Sequence, residues 1–322
     1  MIVRAGNTGI VPKLLTERLQ RFVLASTLLL LVISLSACNQ RKDASGPRYG
    51  DTPQRKAPVD VYNVAVHPLH NPAKLAEAYQ PLLDYLNKQL TDIRLNLESS
   101  RDYASFEQKY RSRTPEFILP NPWQTLQAIQ SGYQVIASAG EPGDFKGIFI
   151  VRTDSGINRP TDLKGKTVSY PSPTALAACI MPQWYLHLHG LNINRDIENL
   201  YVGSQESSIM NAYLGQTAAG ATWPPPWRAF QKDHPQEAAQ LKVAWETESL
   251  INNSFMIRDD LPSALREQIL KLLIELPDSK EGRTILQGME TVRFIAANNA
   301  DYDLVHRYIV RFEQQVRPVE QR

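Results

Sequence analysis

Residues 147–182 read GIFIVRTDSGINRPTDLKGKTVSYPSPTALAACIMP. The apolar runs GIFIVR (147–152) and TVSY (167–170) predict strands, and the segment between them, rich in Gly, Pro and Asp, predicts a turn and a short helix. The small apolar residues from 174 to 189 predict a helix. Ser172 suits its N-cap and Pro173 its first position, because the residue before a proline favours extended geometry. A helix that directly follows a strand is the repeating unit of an α/β fold.

The same alternation continues on both sides of this stretch. Upstream, apolar runs predict strands at 61–66, 93–98 and 116–119, and amphipathic patterns predict helices at 73–90, 102–111 and 122–131. Downstream, the strands are predicted at 198–203, 218–223, 241–246 and 253–258, and the helices at 204–214, from Pro225 and at 261–276. We therefore predict an α/β protein of two lobes, each a mixed sheet flanked by helices, with a ligand cleft between them. Residues 60–151 and 247–322 form lobe 1, and residues 152–246 form lobe 2.

The N-terminal residues predict export. Four basic residues precede the apolar run FVLASTLLLLVISLSAC, which ends in small residues at Cys38, and this order is typical of a secretory signal peptide. An uncleaved membrane anchor is the alternative, but the run is shorter than the ~20 apolar residues that a spanning helix prefers. The tetrapeptide Leu35–Cys38 resembles the bacterial lipobox, which implies removal of residues 1–37 and acylation of Cys38. We expect an extracytoplasmic or periplasmic protein held to a membrane through that lipid.

Residues 38–59 are polar and rich in Gly, Pro and charge, and they predict a flexible tether that spans roughly 25 Å. Loss of residues 1–37 removes four of 35 Lys and Arg and one of 33 Asp and Glu, which leaves 31 basic against 32 acidic residues. A nearly neutral protein lacks the basic face that a nucleic-acid partner requires.

Catalytic and redox motifs are missing from the sequence. With Cys38 acylated, Cys179 has no disulfide partner, and its apolar neighbours predict a buried, inert thiol, with a reactive thiol as the alternative. The sequence contains no G-x-S-x-G, H-E-x-x-H or C-x-x-C, and GKT at 165–167 lacks the earlier glycine of a P-loop. His67 and His70 lack a third metal ligand at readable spacing. We predict a binding protein rather than an enzyme, with no cofactor and no metal.

The turn at 172–175 is a candidate oxyanion site. Because Pro173 has no N–H, the amides of Thr174 and Ala175 would point out of the helix end beside the hydroxyls of Ser172 and Thr174. The alternative is a capped helix that binds no ligand.

The chain also resembles the type II periplasmic binding proteins of phosphate, phosphite and phosphonate import. Four stretches carry the resemblance: AVHPLHNPAKLAEAYQPLLDYLNKQL, IFIVRTDSGINRPTDLKGKTVSYPSPTA, GSQESSIMNAYLGQTAAGA and NSFMIRDDLP. It implies a monomer that closes on a small oxyanion about a hinge and delivers it to an ABC importer, with the turn at 172–175 as the oxyanion grip. The alternative from another class is a sensory subunit whose closure is detected by a membrane histidine kinase.

Further candidate ligand contacts lie where strands end. In lobe 1 they are His67 after the first strand and Asn121, Trp123 and Thr125 in NPWQT; in lobe 2 they are Ser204, Gln205, Thr222 and Trp223. Trp223 and Trp227 either form a wall of the ligand site or pack the hinge-side surface.

Three positions depart from the family pattern. Gln205 stands where the family has histidine, Thr125 where it has tyrosine, and Ala218 where phosphonate binders have an acidic residue that accepts a ligand proton. Without this acceptor, a buried protonated ligand would keep an unpaired donor at a cost of ~1–3 kcal/mol. The departure at Ala218 therefore favours a ligand that is fully deprotonated, esterified or of another kind.

Overall fold

Two mixed sheets organise residues 59–319, the part of the chain that the computed structural model describes. The first sheet has the order β11-β4-β10-β3-β1-β2, in which β1 runs parallel to β2 and β3, and β10 runs antiparallel to β3 and β4. Its strands are β1 (Asp60–Val66), β2 (Ile93–Glu98), β3 (Phe117–Leu119), β4 (Tyr133–Ala139), β10 (Ser254–Arg258) and β11 (Phe294–Ala296).

The second sheet has the order β7-β6-β8-β5-β9, with β6 parallel to β7 and β8, and β5 antiparallel to β8 and β9. Its strands are β5 (Ile148–Arg152), β6 (Thr167–Tyr170), β7 (Glu198–Tyr201), β8 (Ala219–Thr222) and β9 (Leu241–Glu246). Because β5 pairs within this sheet, residues 148–151 belong to it, although the sequence interpretation assigned them to lobe 1.

Helices cover both sheets, and all of them except the four-residue α7 bury apolar residues. They are α1 (Pro72–Gln89), α2 (Tyr103–Arg111), α3 (Pro122–Gln130), α4 (Met181–Leu188), α5 (Gln205–Tyr213), α6 (Pro224–Asp233), α7 (Pro235–Ala238), α8 (Ser263–Ile274), α9 (Lys280–Gly288) and α10 (Asp303–Gln315). No helix within 59–319 combines the length and the apolar character needed to cross a bilayer. The predicted signal peptide, Cys38 and nearly all of the tether lie outside the described residues.

The helix predicted at 174–189 begins later than the sequence indicates. Leu176–Ile180 form a π-helical turn that continues into α4, and Ala175, not Ser172, is the residue before its start. The wider turn precedes Pro182, whose ring would clash with the carbonyl four residues earlier in a regular α-helix. The prediction that Ser172 is the N-cap and Pro173 the first helical residue is therefore wrong, because Pro173 and Thr174 form a separate turn.

Two chain segments cross between the sheets, after β4 and after β9. They are joined where the Thr247 N–H donates to Gly147 O (2.9 Å) and the Leu250 N–H donates to Phe145 O (2.9 Å). A Cβ on Gly147 would lie 2.5 Å from Ala177 O, so only glycine allows the π turn to approach this crossing. The residues after α10 make a third connection, because Arg317 donates to Pro173 O (3.0 Å) and Gln183 Oε1 (2.8 Å) in lobe 2.

Candidate ligand-binding cleft

Two adjoining small cavities lie between the lobes, where β1, β3 and β8 end. Their volumes are about 10 and about 20 Å³, and His67, Trp223 and Asn253 line both. A cavity of about 10–15 Å³ holds about one water molecule. The structure therefore shows the lobes closed on each other. The smaller cavity is lined from lobe 1 by His67, Tyr103, Asn121 and Asn253, from the crossing by Phe145, and from lobe 2 by Ala175, Leu176, Ala177, Ala178, Gln205 and Trp223.

Five residues that the sequence singles out meet at this cavity. They are His67, Asn121, Ala175, Gln205 and Trp223. They come from both lobes because the carboxyl ends of parallel strands lie at one edge of each sheet, and these two edges face each other. Ser172, Thr174, Ser204, Thr222, Trp123 and Thr125 are not among the residues that line it.

The Thr174 hydroxyl, predicted to hold the ligand, contacts the opposite lobe instead. It donates to Glu107 Oε1 on α2 at 2.7 Å, and the Thr174 carbonyl accepts a hydrogen bond from Asn121 Nδ2 at 3.2 Å. Because Thr174 gives its one proton to Glu107, the Ser172 hydroxyl, 3.0 Å away, is the donor in that pair. Both hydroxyls of the predicted cradle are thus engaged within the protein.

The backbone amides of the cradle are also displaced from their predicted positions. The Thr174 N–H donates to Ser172 Oγ (3.3 Å) and the Ala175 N–H donates to Ser172 O (3.2 Å). The first turn of the helix is Leu176–Ile180, and Leu176, Ala177 and Ala178 line the cavity. The N–H groups of a first helical turn lack intrahelical acceptors, so this turn, not residues 172–175, is the anion-compatible end of the helix.

Four other predicted residues make contacts that do not include the lining of this cavity. The Thr125 hydroxyl donates to Asn121 O (3.0 Å) and lies 2.7 Å from Ser254 Oγ, and the Ser204 hydroxyl caps α5 by accepting from the Ser207 N–H. Trp123 is buried and lines a larger, separate groove with Thr174. Thr222 donates to Gln205 Oε1 at 2.9 Å and so acts on the cavity through Gln205.

Gln205 connects the two lobes beside the cavity. With its oxygen accepting from Thr222, its amide nitrogen donates to the Tyr103 hydroxyl at 3.2 Å. The Tyr103 oxygen therefore accepts this hydrogen bond with one of its own lone pairs, and its proton remains free for another acceptor. Gln205 thus makes Tyr103, which sequence reasoning missed, a hydrogen-bond donor at the cavity wall.

His67 is neutral in this site. Its Nδ1 lies 2.9 Å from Leu119 O, and a carbonyl can only accept, so Nδ1 carries the proton and Nε2 is left as an acceptor. Burial lowers the pKa of His67 from 6.5 to about 4. The described residues contain no group of three or more His, Cys, Asp or Glu side chains able to hold a metal ion.

Aromatic rings close the cavity on one side. Trp223 packs against Phe145 with ring centroids 5.5 Å apart, and both rings line the smaller cavity. Trp227 instead stacks on Phe230 in a lobe 2 cluster with Ile148, Ile150 and Ile209. Trp223 therefore lines the cavity, whereas Trp227 packs inside lobe 2.

Asn253 is, with Tyr103, one of two polar residues lining the smaller cavity that sequence reasoning missed. It lies in the crossing that leads into β10, is 7 % exposed, and its Oδ1 is buried without a hydrogen-bond partner. Unpaired buried acceptors are rare in folded proteins. The only sequence signal was an Asn-Asn pair directly before an apolar strand.

Ala218 does not face the cleft, so the lack of a carboxylate at this position does not bear on the ligand. Its N–H donates to Thr167 O at the first residue of β6, at the sheet edge opposite the cavity. Four residues of strand, about 13 Å, separate it from Thr222 at the cleft end of β8. A carboxylate at position 218 would not reach a ligand in the cavity.

Cys179 is buried and free, and burial raises the pKa of its thiol to about 12. Arg317 donates to its sulfur at 3.5 Å, but desolvation has the larger effect on the pKa. This environment favours the inert thiol over the reactive one.

Comparisons with known proteins place this arrangement in context. The family model of periplasmic substrate-binding proteins of phosphonate ABC transporters matches residues 64–302. A binding protein component of an ABC phosphonate transporter from Pseudomonas aeruginosa superposes with a TM-score of 0.74 at 16% identity, covering 80% of this chain and 87% of that one.

Two further solved structures share the fold. PhnD1 from Prochlorococcus marinus in complex with methylphosphonate gives a TM-score of 0.73 at 20% identity, over 79% of this chain and 99% of that chain. The alkanesulfonate-binding protein of Xanthomonas axonopodis pv. citri bound to MOPS gives 0.59 at 15% identity, over 81% and 94%. At these identities the structural similarity establishes the two-lobed fold.

Proposed function

The chain belongs to the periplasmic phosphonate-binding proteins of ABC transporters, and from that premise we propose that it captures a small phosphonate-like oxyanion by closing its lobes around it. As a member of this family it is a solute-binding component that delivers a ligand to an importer. The family supports this role and gives no support to the sensor-kinase alternative.

One observation carries the proposed site: the smaller cavity is lined by both lobes at the ends of their strands. His67, Tyr103 and Asn121 contribute from lobe 1, and the helix start at 176–178 and Gln205 contribute from lobe 2. A ligand that contacts both walls stabilises only the closed state, which is how binding drives hinge closure. The site residues of this proposal are therefore those of the cavity rather than the turn at 172–175.

The lining supplies neutral donors for an anion. Tyr103 offers its O–H, and the first-turn N–H groups of the helix add the positive end of the helix dipole. No charged side chain belongs to the described residues that line the smaller cavity. Fixed dipoles that converge on an oxyanion can replace a formal positive charge, because they bind it without ordering a mobile side chain.

The closed lobes leave less room than a phosphonate needs. The two cavities, about 10 and about 20 Å³, adjoin at Trp223 and Asn253. A ligand of several heavy atoms exceeds the space for one water. We expect the liganded protein to be slightly more open than this structure, with the Trp223 ring moved to join the two cavities.

Membrane attachment is the second part of the proposal. Cleavage before Cys38 and acylation of its thiol would anchor the protein, since several acyl chains bind a bilayer far more stably than one. The tether at 38–59 would let a monomeric binding domain reach its permease within roughly 25 Å of the surface.

The test is identification of the ligand. The binding domain without residues 1–37 is purified, released ligand is analysed by mass spectrometry, and affinities for phosphate, phosphite, methylphosphonate, sulfate and arsenite are measured by calorimetry. We expect a phosphorus oxyanion to bind, Gln205→Leu to weaken it, and the distant Ala218→Asp to leave the ranking unchanged. Binding of none of these anions, or equal effects of the two variants, would contradict the proposed site.

A further inference from the structure

The unpaired Oδ1 of Asn253 is the starting point. This atom is buried without a partner, and its residue lines both cavities between the lobes. The Asn253 backbone is fully used, because its N–H donates to Asn252 Oδ1 (2.8 Å) and its carbonyl accepts from the Ala139 N–H (2.7 Å). Such a fixed backbone limits where the side-chain amide can lie, so its oxygen is an unused acceptor on a residue that lines both cavities.

A second acceptor lies on the same wall. His67 gives its Nδ1 proton to Leu119 O, and its Nε2 is therefore unprotonated. The same ring lines both cavities with Asn253. Lobe 1 thus presents two neutral acceptors, one oxygen and one nitrogen, to a ligand whose charged oxygens face the donors of Tyr103 and the helix start.

The charged residues around the cavity of about 20 Å³ disfavour a second negative charge on the ligand. Asp144 and Glu290 line it, and both contact Arg228, Glu290 at 2.9 Å and Asp144 at 3.3 Å. One guanidinium between two carboxylates leaves a negative local balance. No lysine or arginine belongs to the described residues that line either cavity.

From these contacts we propose that the site selects an oxyanion in its singly protonated form, with the ligand O–H donated to Asn253 Oδ1 and His67 Nε2 as the neighbouring acceptor. The inference rests on the proposed function and specifies the protonation state of its ligand. It reverses the expectation drawn from Ala218, because the acceptor comes from the crossing before β10 instead of from β8. A ligand with no O–H would leave Asn253 Oδ1 unpaired and facing a lone pair.

Two isosteric probes test the proposal. Methylphosphonate carrying one proton and methanesulfonate have the same shape and the same single charge, but only the first has an O–H to donate. At about one pH unit below the second pKa of methylphosphonate, we expect methylphosphonate to bind about 10- to 100-fold more tightly than methanesulfonate. Equal affinity of the two probes would overturn the inference while leaving oxyanion capture intact, whereas binding of neither would contradict the proposed function itself.

The pH dependence gives a second readout on the same protein. Above the second pKa of methylphosphonate, its apparent affinity should fall about tenfold per pH unit, while that of methanesulfonate stays constant. The other titratable groups around the cavities are His67, whose pKa is lowered to about 4, Tyr79 and Tyr103, whose pKa values burial raises, and the Arg228-paired Asp144 and Glu290. If the affinity for methylphosphonate does not fall as the pH rises, the partner of Asn253 is a bound water and not the ligand O–H, and the inference is overturned.

Variants at Asn253 assign the acceptor to this residue. Asn253→Leu keeps the volume and removes the acceptor, so the preference for methylphosphonate should shrink about tenfold or more. Asn253→Asp keeps an acceptor, so the preference for methylphosphonate should persist, and its affinity should still fall about tenfold per pH unit above the second pKa of the ligand. Ala218→Asp, at the opposite edge of the second sheet, is the matched control for added charge. A wild-type preference in Asn253→Leu, or loss of the preference in a folded Asn253→Asp, would overturn the assignment.

Discussion

The hydroxyl of Thr174 donates a 2.7 Å hydrogen bond to Oε1 of Glu107, although the two residues are 67 positions apart and lie in different lobes. Glu107 is 6 % exposed and also accepts from Gln124 Nε2 at 3.2 Å. Hydrogen bonds to charged groups are among the strongest that proteins make. The bond therefore links the lobes in the closed state without a ligand.

Thr174→Val should weaken closure without changing ligand choice. The substitution keeps the side-chain shape and removes the donor to Glu107, at a cost of about 1–3 kcal/mol to the closed state. Small-angle scattering should show a larger radius of gyration, and calorimetry should show all ligands weakened by the same factor. Thr174→Ser, which keeps the hydroxyl, is the matched control. A loss confined to one ligand would instead place Thr174 in direct contact with it.

Tyr103→Phe should weaken ligand binding selectively. It removes the Tyr103 O–H, which has no acceptor among the described residues. It also leaves the Gln205 amide without its acceptor on α2. We expect a loss of about 1.5–3 kcal/mol in binding, the range for hydrogen bonds to charged groups, measured by calorimetry. Tyr62→Phe, at a ring that packs on Phe117 away from the cavity, is the control. Equal affinities of the two variants would argue against Tyr103 as a ligand donor.

Acid should destabilise the protein through His67. Its pKa is about 4 when folded and 6.5 when unfolded, so between these values the unfolded chain binds a proton that the native state does not. Its contribution is complete above pH ~6.5 and is lost as the pH falls towards ~4, by up to about 3 kcal/mol. His70, with its pKa also lowered to about 4, acts in the same direction.

The check is the melting temperature of His67→Gln and of the wild type from neutral pH down to about pH 4.5. The variant should lose part of the acid sensitivity, whereas the exposed control His306→Gln should keep the wild-type slope. Parallel curves for His67→Gln and the wild type would show that the buried imidazole does not set this dependence.

Cys38→Ser should abolish lipid attachment, because acylation requires the thiol. Membrane fractionation of the full chain with a labelled fatty acid should give wild-type protein in the membrane pellet and unlabelled variant protein. Cys179→Ser, at the buried thiol, is the control and should remain labelled. A labelled, membrane-bound Cys38→Ser protein of mature size would rule out the lipobox interpretation.

The sequence determined the elements of the fold, because periodicity and turn residues act locally. Every predicted helix and strand within the described residues agrees with the structure to within two residues, apart from the helix start at 176. The strands β4 and β11 and the helices α7, α9 and α10 were not predicted. Five of the cavity residues could be predicted because they follow the carboxyl ends of strands, and strand direction determines which sheet edge faces the cleft. The same argument, applied to Ala218 at the start of its strand, would have excluded it from the site.

The partner of each polar side chain was decided only by tertiary structure. Ser172 and Thr174 have the hydroxyls of an oxyanion grip, but Thr174 binds Glu107 because closure brings α2 within 2.7 Å of it. Asn253 has an ordinary sequence environment, and its oxygen is unpaired only because two crossing segments and two lobes bury it together. The hydrogen-bonded pairs Thr174–Glu107 and Gln205–Tyr103 are 67 and 102 residues apart, and no local pattern encodes which donors remain free once long-range contacts have formed.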